Sequence, residues 1–234
     1  MTVGPTPRRQ PQPGSFRHLP EVYDTFARLT AGPLLAYLDR QLPAAGERAV
    51  DLGCGTGVVT ITLADRYTDV LGVDTSAPML DLALRRPRPG VRYELRDMMD
   101  VSTERDGRFD LVVSTFALHH APDLGRALAH IRDLVRPGGL AVVVDVVGRR
   151  RSRVRQRVEA ARTLGVDLTL RRRTARDAVD LYRAATHPSW LGHVAADRPL
   201  AVGDFDSRYL AALPGATVTA LPGCRAVRWR APGG

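Results

Sequence analysis

The sequence contains neither lysine nor asparagine, so all 34 of its Lys+Arg positions are arginine. Without lysine the chain cannot form the phosphate-binding loop G-x-x-x-x-G-K-[ST]. A G+C-rich coding sequence would by itself produce arginine in place of lysine and the absence of asparagine. The net charge of +9 therefore has two explanations, a polyanionic partner such as nucleic acid or a coding bias, and we favour the second.

Cysteine and long apolar segments are also scarce. Cys54 and Cys224 are the two cysteines and lie far apart, which indicates no disulfide framework. The longest apolar run, around residues 141–147, is far shorter than the ~18 residues of a membrane span, and the N-terminal region has no apolar signal-peptide core. We therefore expect no membrane association and a cytoplasmic location.

The length of 234 residues and the hydrophobic fraction of 44% suit one α/β domain. Residues 1–15 are rich in Pro, Gly and Gln and are expected to form a flexible tail. Residues 16–234 are expected to form a single domain that begins with two short helices divided at Gly32-Pro33.

A glycine-rich turn follows the first apolar strand, residues 50–53. Gly53, Gly55 and Gly57 remove three Cβ atoms within five residues, so the backbone can turn sharply and approach a ligand. The dinucleotide fingerprint G-x-G-x-x-G is excluded, because its third glycine position is occupied by Val58. The turn therefore predicts a ligand site at the carboxyl end of a strand, with a different ligand.

The segment D-L-G-C-G-T-G at residues 51–57, with Asp74 at the end of the next apolar run, resembles the class I S-adenosylmethionine-dependent methyltransferases. The segments F-D-L-V-V-S (109–114) and L-V-R-P-G-G-L (134–140) are similar to two further signatures of that family. The segment A-L-H-H (117–120) resembles its small-molecule branch, which includes the ubiquinone and menaquinone methyltransferases. The resemblance extends over about residues 19–147.

Strand and helix patterns alternate through the first two thirds of the chain and predict a parallel sheet with right-handed crossovers. The expected strands are residues 50–53, 69–74, 91–96, 109–114 and 140–147. The expected helices are residues 58–66, a segment capped by Ser76, and one capped by Asp123 that ends before residues 137–139. A C-terminal hairpin, residues 216–220 and 225–230, requires one antiparallel strand.

The family resemblance implies a Rossmann-like three-layer α/β/α fold. Its seven-stranded sheet is mostly parallel, with an antiparallel last strand. Helical patterns at residues 149–163, 174–186 and 187–196 predict an inserted helical lid at about residues 149–196. A further helix is expected at residues 205–213.

The resemblance also implies S-adenosyl-L-methionine as the cofactor and S-adenosyl-L-homocysteine as the product. Asp51 is expected at the amino-acid end of the cofactor, and Asp74 at both ribose hydroxyls. Asp97 is expected at the adenine amino group, with Met98 over the ring. The other expected cofactor contacts are Tyr23, Gly53, Cys54, Gly55, Thr75, Met79, Ser114 and Phe116.

Methyl transfer from a sulfonium mainly requires that the reactants be positioned and desolvated. A general base is needed only where the acceptor loses a proton, and His119 is the candidate. His120, His187, Trp190 and His193 are candidate acceptor-site residues. The spacing of possible ligand residues in the sequence indicates no metal site.

The acceptor is expected to be a small molecule, of which a specialised metabolite is one candidate. The position that reads N/D-P-P-Y/F in many amino-group methyltransferases is S-T-F-A at residues 114–117, which argues against exocyclic base-nitrogen methylation. One alternative is an RNA or DNA methyltransferase that uses the arginines of 149–157 and 171–176, and salt-dependent binding would reveal it. Another is a non-catalytic S-adenosylmethionine-binding protein.

Overall fold

The computed structural model describes residues 20–148 and 152–233. The expected tail, residues 1–15, lies outside this part of the chain, as do residues 149–151. The strands are β1 (Gly46–Leu52), β2 (Tyr67–Asp74), β3 (Val91–Leu95), β4 (Phe109–Thr115), β5 (Val135–Val146), β6 (Thr217–Leu221) and β7 (Cys224–Arg230).

The α-helices precede, connect and follow these strands. They are α1 (Pro20–Thr30), α2 (Gly32–Gln41), α3 (Thr60–Leu63), α4 (Ala77–Leu84), α5 (Thr103–Asp106), α6 (Leu124–Leu134), α7 (Arg153–Leu170), α8 (Ala175–Thr186), α9 (Pro188–Ala196) and α10 (Val202–Ala212). Two single-turn 3₁₀ helices cover Met98–Asp100 and Leu118–His120.

The strands form one sheet in the order β3-β2-β1-β4-β5-β7-β6. The pairs β1–β2, β1–β4, β2–β3 and β4–β5 are parallel, whereas β7 runs antiparallel to both β5 and β6. The predicted mostly parallel sheet with a reversed last strand is confirmed. The order reverses between β1 and β4, which is where open α/β sheets bind ligands.

Apolar residues cover both faces of this sheet, as strands buried between two helix layers require. On one face Val50, Leu71 and Val112 pack with side chains of α6 and α10. On the other face Ala49 and Val70 pack with side chains of α2 and α3. These two cores hold the carboxyl ends of the strands in fixed positions along one edge.

Several predicted boundaries are wrong. The helix expected at 58–66 is the single turn α3, because residues 58–59 and 64–66 on either side of it form turns. Strand β5 begins at Val135 rather than at residue 140 and includes the Pro-Gly-Gly segment. Ser76 occupies the N-cap of α4, but its side chain makes no capping hydrogen bond.

Helices α7, α8 and α9 form a group that packs on α1. Helix α8 contacts α1, α7 and α9, and α7 also contacts α9. The guanidinium of Arg173 joins the group to α1, because it donates to the carbonyl of Leu29 at 3.0 Å and to Asp167 Oδ2 at 2.5 Å. Helix α7 is longer than the predicted segment 149–163 and reaches Leu170.

Candidate active site

The three glycines of the β1–α3 turn all have positive φ angles, of 77° at Gly53, 54° at Gly55 and 76° at Gly57. A Cβ at Gly53 would lie 2.5 Å from the Cβ of Ala117, and one at Gly57 would collide with Tyr93. Two of the glycines therefore also allow close packing inside the protein. Their conformation requires glycine whether or not a ligand is bound.

Tyr23 of α1 lies over the remaining glycine. A Cβ at Gly55 would lie 3.3 Å from Tyr23 Cε1. Arg86 holds α1 in this place, because its guanidinium donates to Asp24 Oδ1 at 2.7 Å and to the carbonyl of Thr56 at 2.6 Å. The N-terminal helix thus covers the glycine turn, and the contact of Tyr23 with the cofactor stays a prediction.

Asp51 ends β1 beneath this turn and is fully buried. Thr60 donates its hydroxyl to Asp51 Oδ2 at 2.7 Å, whereas Asp51 Oδ1 has no hydrogen-bond partner in the described part of the chain. Burial raises the pKa of Asp51 to about 7; Thr60 opposes the rise and the charge of Asp74 adds to it. A buried oxygen without a donor fits the amino group of an absent ligand.

Asp74 ends β2 and organises the glycine turn. Its Oδ2 accepts from the amide of Gly55 at 2.8 Å, and its Oδ1 accepts from the amide of Ser76 at 2.8 Å. Burial raises the pKa of Asp74, although these amide hydrogen bonds oppose the rise. A carboxylate offers about four acceptor positions, so both oxygens can still accept from ribose hydroxyls.

The predicted adenine-side residues lie at the ends of β2 and β3. Thr75 and Asp97 are exposed, and Asp97 Oδ1 accepts from the amide of Met99 at 2.9 Å. The Met98 side chain reaches the glycine turn, since a Cβ at Gly53 would lie 3.6 Å from its Cε. The contacts of these side chains with adenine stay predictions.

Two other predicted contacts are buried within the protein. Met79 is 1% exposed. Ser114 is also buried, and its hydroxyl donates to the carbonyl of Leu52 at 2.9 Å. These observations favour packing roles for both side chains.

A cavity of about 540 Å³ lies between the glycine turn and the helices α1, α7, α8 and α9. Its size is typical of sites for small molecules. Among the predicted residues, its lining includes Tyr23, Gly53, Cys54, Phe116, His119, Trp190 and His193.

Most of the remaining wall is apolar, from Phe26, Val59, Leu164, Leu181 and Val194 among others. Asp51, Gly55, Asp74, Thr75, Met79, Asp97, Met98, Ser114, His120 and His187 lie outside the lining.

Phe116 lies where β4 leaves the sheet, and its φ is 55°, which is rare for an aromatic residue. Its amide donates to the carbonyl of Val144 at 2.7 Å and holds this conformation. Strained backbone of this kind occurs most often at ligand sites. No sequence pattern indicated it.

His119 follows on the 3₁₀ turn, and its partner is Asp145 of β5. Asp145 Oδ2 accepts from the His119 amide at 2.8 Å, and Asp145 Oδ1 lies 2.6 Å from His119 Nδ1. Because a carboxylate only accepts, Nδ1 carries a hydrogen and Nε2 is left as the basic nitrogen. Burial lowers the pKa of His119, but the hydrogen bond and charge of Asp145 outweigh it and the pKa is raised.

Further aromatic and imidazole rings extend from His119 along the cavity. The rings of His119 and His120 are 3.9 Å apart, and those of His120 and His193 are 5.6 Å apart. Trp190 lies 5.8 Å from His193 and 4.5 Å from Phe26. The pKa of His120 is lowered, first by desolvation of the ring and then by the charges of His119 and His193.

His187 is separate from this series. It is the N-cap residue of α9, where its Nδ1 accepts from the amide of Ser189 at 3.4 Å. This position favours a structural role at the start of α9 over the predicted contact with an acceptor.

The spacing of ligand residues in the sequence indicated no metal site, yet the fold brings possible ligands together. His119, His120 and Asp197 each offer a ligand atom, and these atoms lie within 4.8 Å of one another. In the described part of the chain, no helix combines the length and the apolar character that a membrane crossing needs.

Residues 49–139 match the family described as "Methyltransferase domain". Trans-aconitate 2-methyltransferase of Deinococcus radiodurans is 40% identical over 128 residues, which are 53% of this chain and 47% of that protein. Ubiquinone biosynthesis O-methyltransferase of Coxiella burnetii is 31% identical over 108 residues, 45% of this chain and 46% of the relative. The chain thus spans about half the length of the curated relatives it matches.

Solved structures share the fold over more of the chain. A complex of DhpI with SAM and HEP has a TM-score of 0.60 at 21% identity, with 91% of this chain and 92% of that chain covered. An S-adenosylmethionine-dependent methyltransferase from Mesorhizobium loti has a TM-score of 0.58 at 22% identity, with 86% and 99% covered. With its sheet order and glycine turn, the chain has the fold of these structures, and its residues 49–139 are similar to the methyltransferase-domain family.

Proposed function

We propose that this chain transfers the methyl group of S-adenosylmethionine to a small, largely apolar acceptor in the cavity beneath α7, α8 and α9. One observation carries the proposal: Gly53 and Cys54 of the glycine turn and the side chain of His119 line the same cavity. A cofactor on the turn and an acceptor in the cavity would therefore meet beside a basic nitrogen.

The residues around the turn fit the cofactor. Asp51 Oδ1 lacks a donor in the described residues, and Asp74 retains acceptor positions. When bound, S-adenosylmethionine supplies a methyl group on a positively charged sulfur, and its displacement removes that charge. The protein's main tasks are to align the acceptor in line with the methyl group and to exclude water.

His119 acts on an acceptor that loses a proton when it is methylated. Asp145 holds its Nδ1 hydrogen and directs Nε2 to receive the proton. The charge of Asp145 also stabilises the imidazolium that results, which is why the pKa of His119 is raised despite its burial.

The charged side chains in the wall of the cavity indicate which class of acceptor it would bind. Its charged side chains are Glu159 and Asp197, and the described lining residues include no arginine. The relatives named trans-aconitate methyltransferases raise a tricarboxylate as a candidate. A polyanion would face these two carboxylates with no arginine among the described lining residues, so we favour a neutral or cationic molecule with an apolar body.

The relatives' names do not favour a nucleic-acid acceptor for this chain.

The proposed methyl transfer is tested by incubating the protein with methyl-labelled S-adenosylmethionine and a panel of apolar hydroxy and amino compounds, and by measuring S-adenosylhomocysteine. Acceptor-dependent product from neutral or cationic compounds, and not from tricarboxylates, is expected. Cofactor binding without product from any compound would instead support the non-catalytic alternative.

A further inference from the structure

His119 and Asp197 line the proposed acceptor cavity, and His120 lies beside them outside its lining; the three side chains form a group of possible metal ligands. His119 and His120 occupy the turn after β4, and Asp197 is the C-cap of α9. Their ligand atoms lie within 4.8 Å of one another. Two separate parts of the fold therefore place their ligand atoms close together. Rotation of these side chains would bring all three atoms to a shared ion.

The side-chain types match a divalent transition metal. Two imidazole nitrogens and one carboxylate oxygen are ligands that zinc accepts, with a further position left for another molecule. Calcium and magnesium prefer oxygen ligands and fit this set less well.

Asp145 adds an independent observation. In metal sites a ligating imidazole usually donates its other nitrogen to a carboxylate, which fixes the ring and its tautomer. Asp145 Oδ1 stands 2.6 Å from His119 Nδ1 in this arrangement, and Asp145 is 2% exposed. His119 Nε2 is thereby directed away from Asp145 as a ligand nitrogen.

The charges around the group also suit a cation. Asp145 and Asp197 contribute two carboxylates, and Asp197 Oδ1 lies 3.7 Å from His193 Nε2. His193 is thus a neighbour of the group and a possible replacement ligand, which a test has to separate from His120.

We propose that His119, His120 and Asp197 bind one divalent transition-metal ion of the zinc type at the wall of the cavity. Resting on the proposed function, we further infer that a bound ion inhibits methyl transfer, because it occupies the nitrogen with which His119 would take the acceptor's proton. The site would make the enzyme sensitive to free zinc.

The test is calorimetric titration of the full chain with zinc chloride, with saturating S-adenosylhomocysteine and no acceptor. The variants are His120→Ala and Asp197→Asn, and the control is His187→Asn, which removes an imidazole but keeps a side chain that can cap α9. We expect one ion per chain, at least about tenfold weaker binding in both variants, and no change in the control.

No zinc binding by the parent protein, or equal weakening in the control, would overturn the site. Full affinity in His120→Ala would assign the ion to other ligands such as His193 and would also overturn it. Zinc bound to the parent protein without slower methyl transfer would overturn the inhibition. Failure of the proposed function is seen separately, as absence of heat with S-adenosylhomocysteine in every protein.

Discussion

The proposed cofactor half and the proposed acceptor half of the site are built in different ways. The cofactor half comes from a continuous stretch, where Asp51, the glycine turn and Asp74 follow one another at the ends of β1 and β2. The acceptor half joins the ends of β4 and β5 to α1, α8 and α9. Its central pair, His119 and Asp145, joins the ends of β4 and β5, while α1 comes before β1 and α8 and α9 come after β5.

The family match shows which half of the site this chain shares with its relatives. The family match covers residues 49–139, which include the cofactor half and His119. Asp145 and the helices α7, α8 and α9 lie beyond it. A shared cofactor site thus says little about the acceptor, because most residues of the cavity wall lie outside the matched segment.

The largest effect is expected in the acceptor half. His119→Ala should slow turnover by about 10²–10⁴-fold, the usual contribution of a general base, and leave affinity for S-adenosylhomocysteine nearly unchanged. Asp145→Asn, of nearly the same size, should reproduce part of the loss. Steady-state kinetics and calorimetry check both. Equal losses of turnover and cofactor affinity would show that the two halves are not separable.

In the cofactor half, Asp74→Ala should weaken binding of S-adenosylhomocysteine by on the order of 2–4 kcal/mol. The change removes the acceptors for the ribose hydroxyls and the anchor of the Gly55 amide. Asp81→Ala, an exposed aspartate of α4, is the matched control. Calorimetry that finds the two variants alike would refute the ribose assignment.

A smaller effect is expected from pH. Asp51 has a pKa of about 7 in the structure because it is buried, and the ionised form is the one that attracts the cofactor's amino group. Affinity for S-adenosylhomocysteine should therefore fall by about tenfold from pH 8 to pH 6 as Asp51 gains a proton. Asp51→Asn should bind more weakly and lose most of this dependence, as titrations at several pH values would reveal.

The stability of the cofactor-free protein is expected to change with pH in the opposite direction to the cofactor affinity. A folded-state pKa above the usual 3.8 means that the folded chain holds the proton of Asp51 more tightly. The contribution of Asp51 to stability is therefore full at low pH and declines as pH rises from about 4 to about 7. Denaturation of Asp51→Asn should show a flatter profile in that window.

The smallest effect is expected from Trp190→Ala, which removes a ring that packs 4.5 Å from Phe26. We expect KM for the acceptor to rise about fivefold, in keeping with 0.5–1.5 kcal/mol for an aromatic pair, with cofactor affinity retained. Trp190→Phe should recover most of the loss. A larger change in cofactor affinity than in KM would place Trp190 in the wrong half.

The contrast also explains what the sequence could predict. Alternating patterns and the glycine turn are local, so the sheet, its reversed strand and the position of Asp51 and Asp74 followed from them. The Asp145 partner is nonlocal, although a single carboxylate within the apolar run of β5 was a usable signal. The φ angle of Phe116 and the approach of Trp190 to α1 depend on tertiary packing and left no sequence pattern.

The most direct measurement is titration of S-adenosylhomocysteine into the parent protein and Gly55→Val. A side chain at Gly55 is strained by its φ of 54° and meets Tyr23 at 3.3 Å. Gly138→Val is the control, because Gly138 has a φ of 72° and open space around it. We predict binding by the parent and the control, with a loss of at least about 100-fold in Gly55→Val. No heat with the parent protein, or unchanged binding in Gly55→Val, would contradict a cofactor site at the glycine turn.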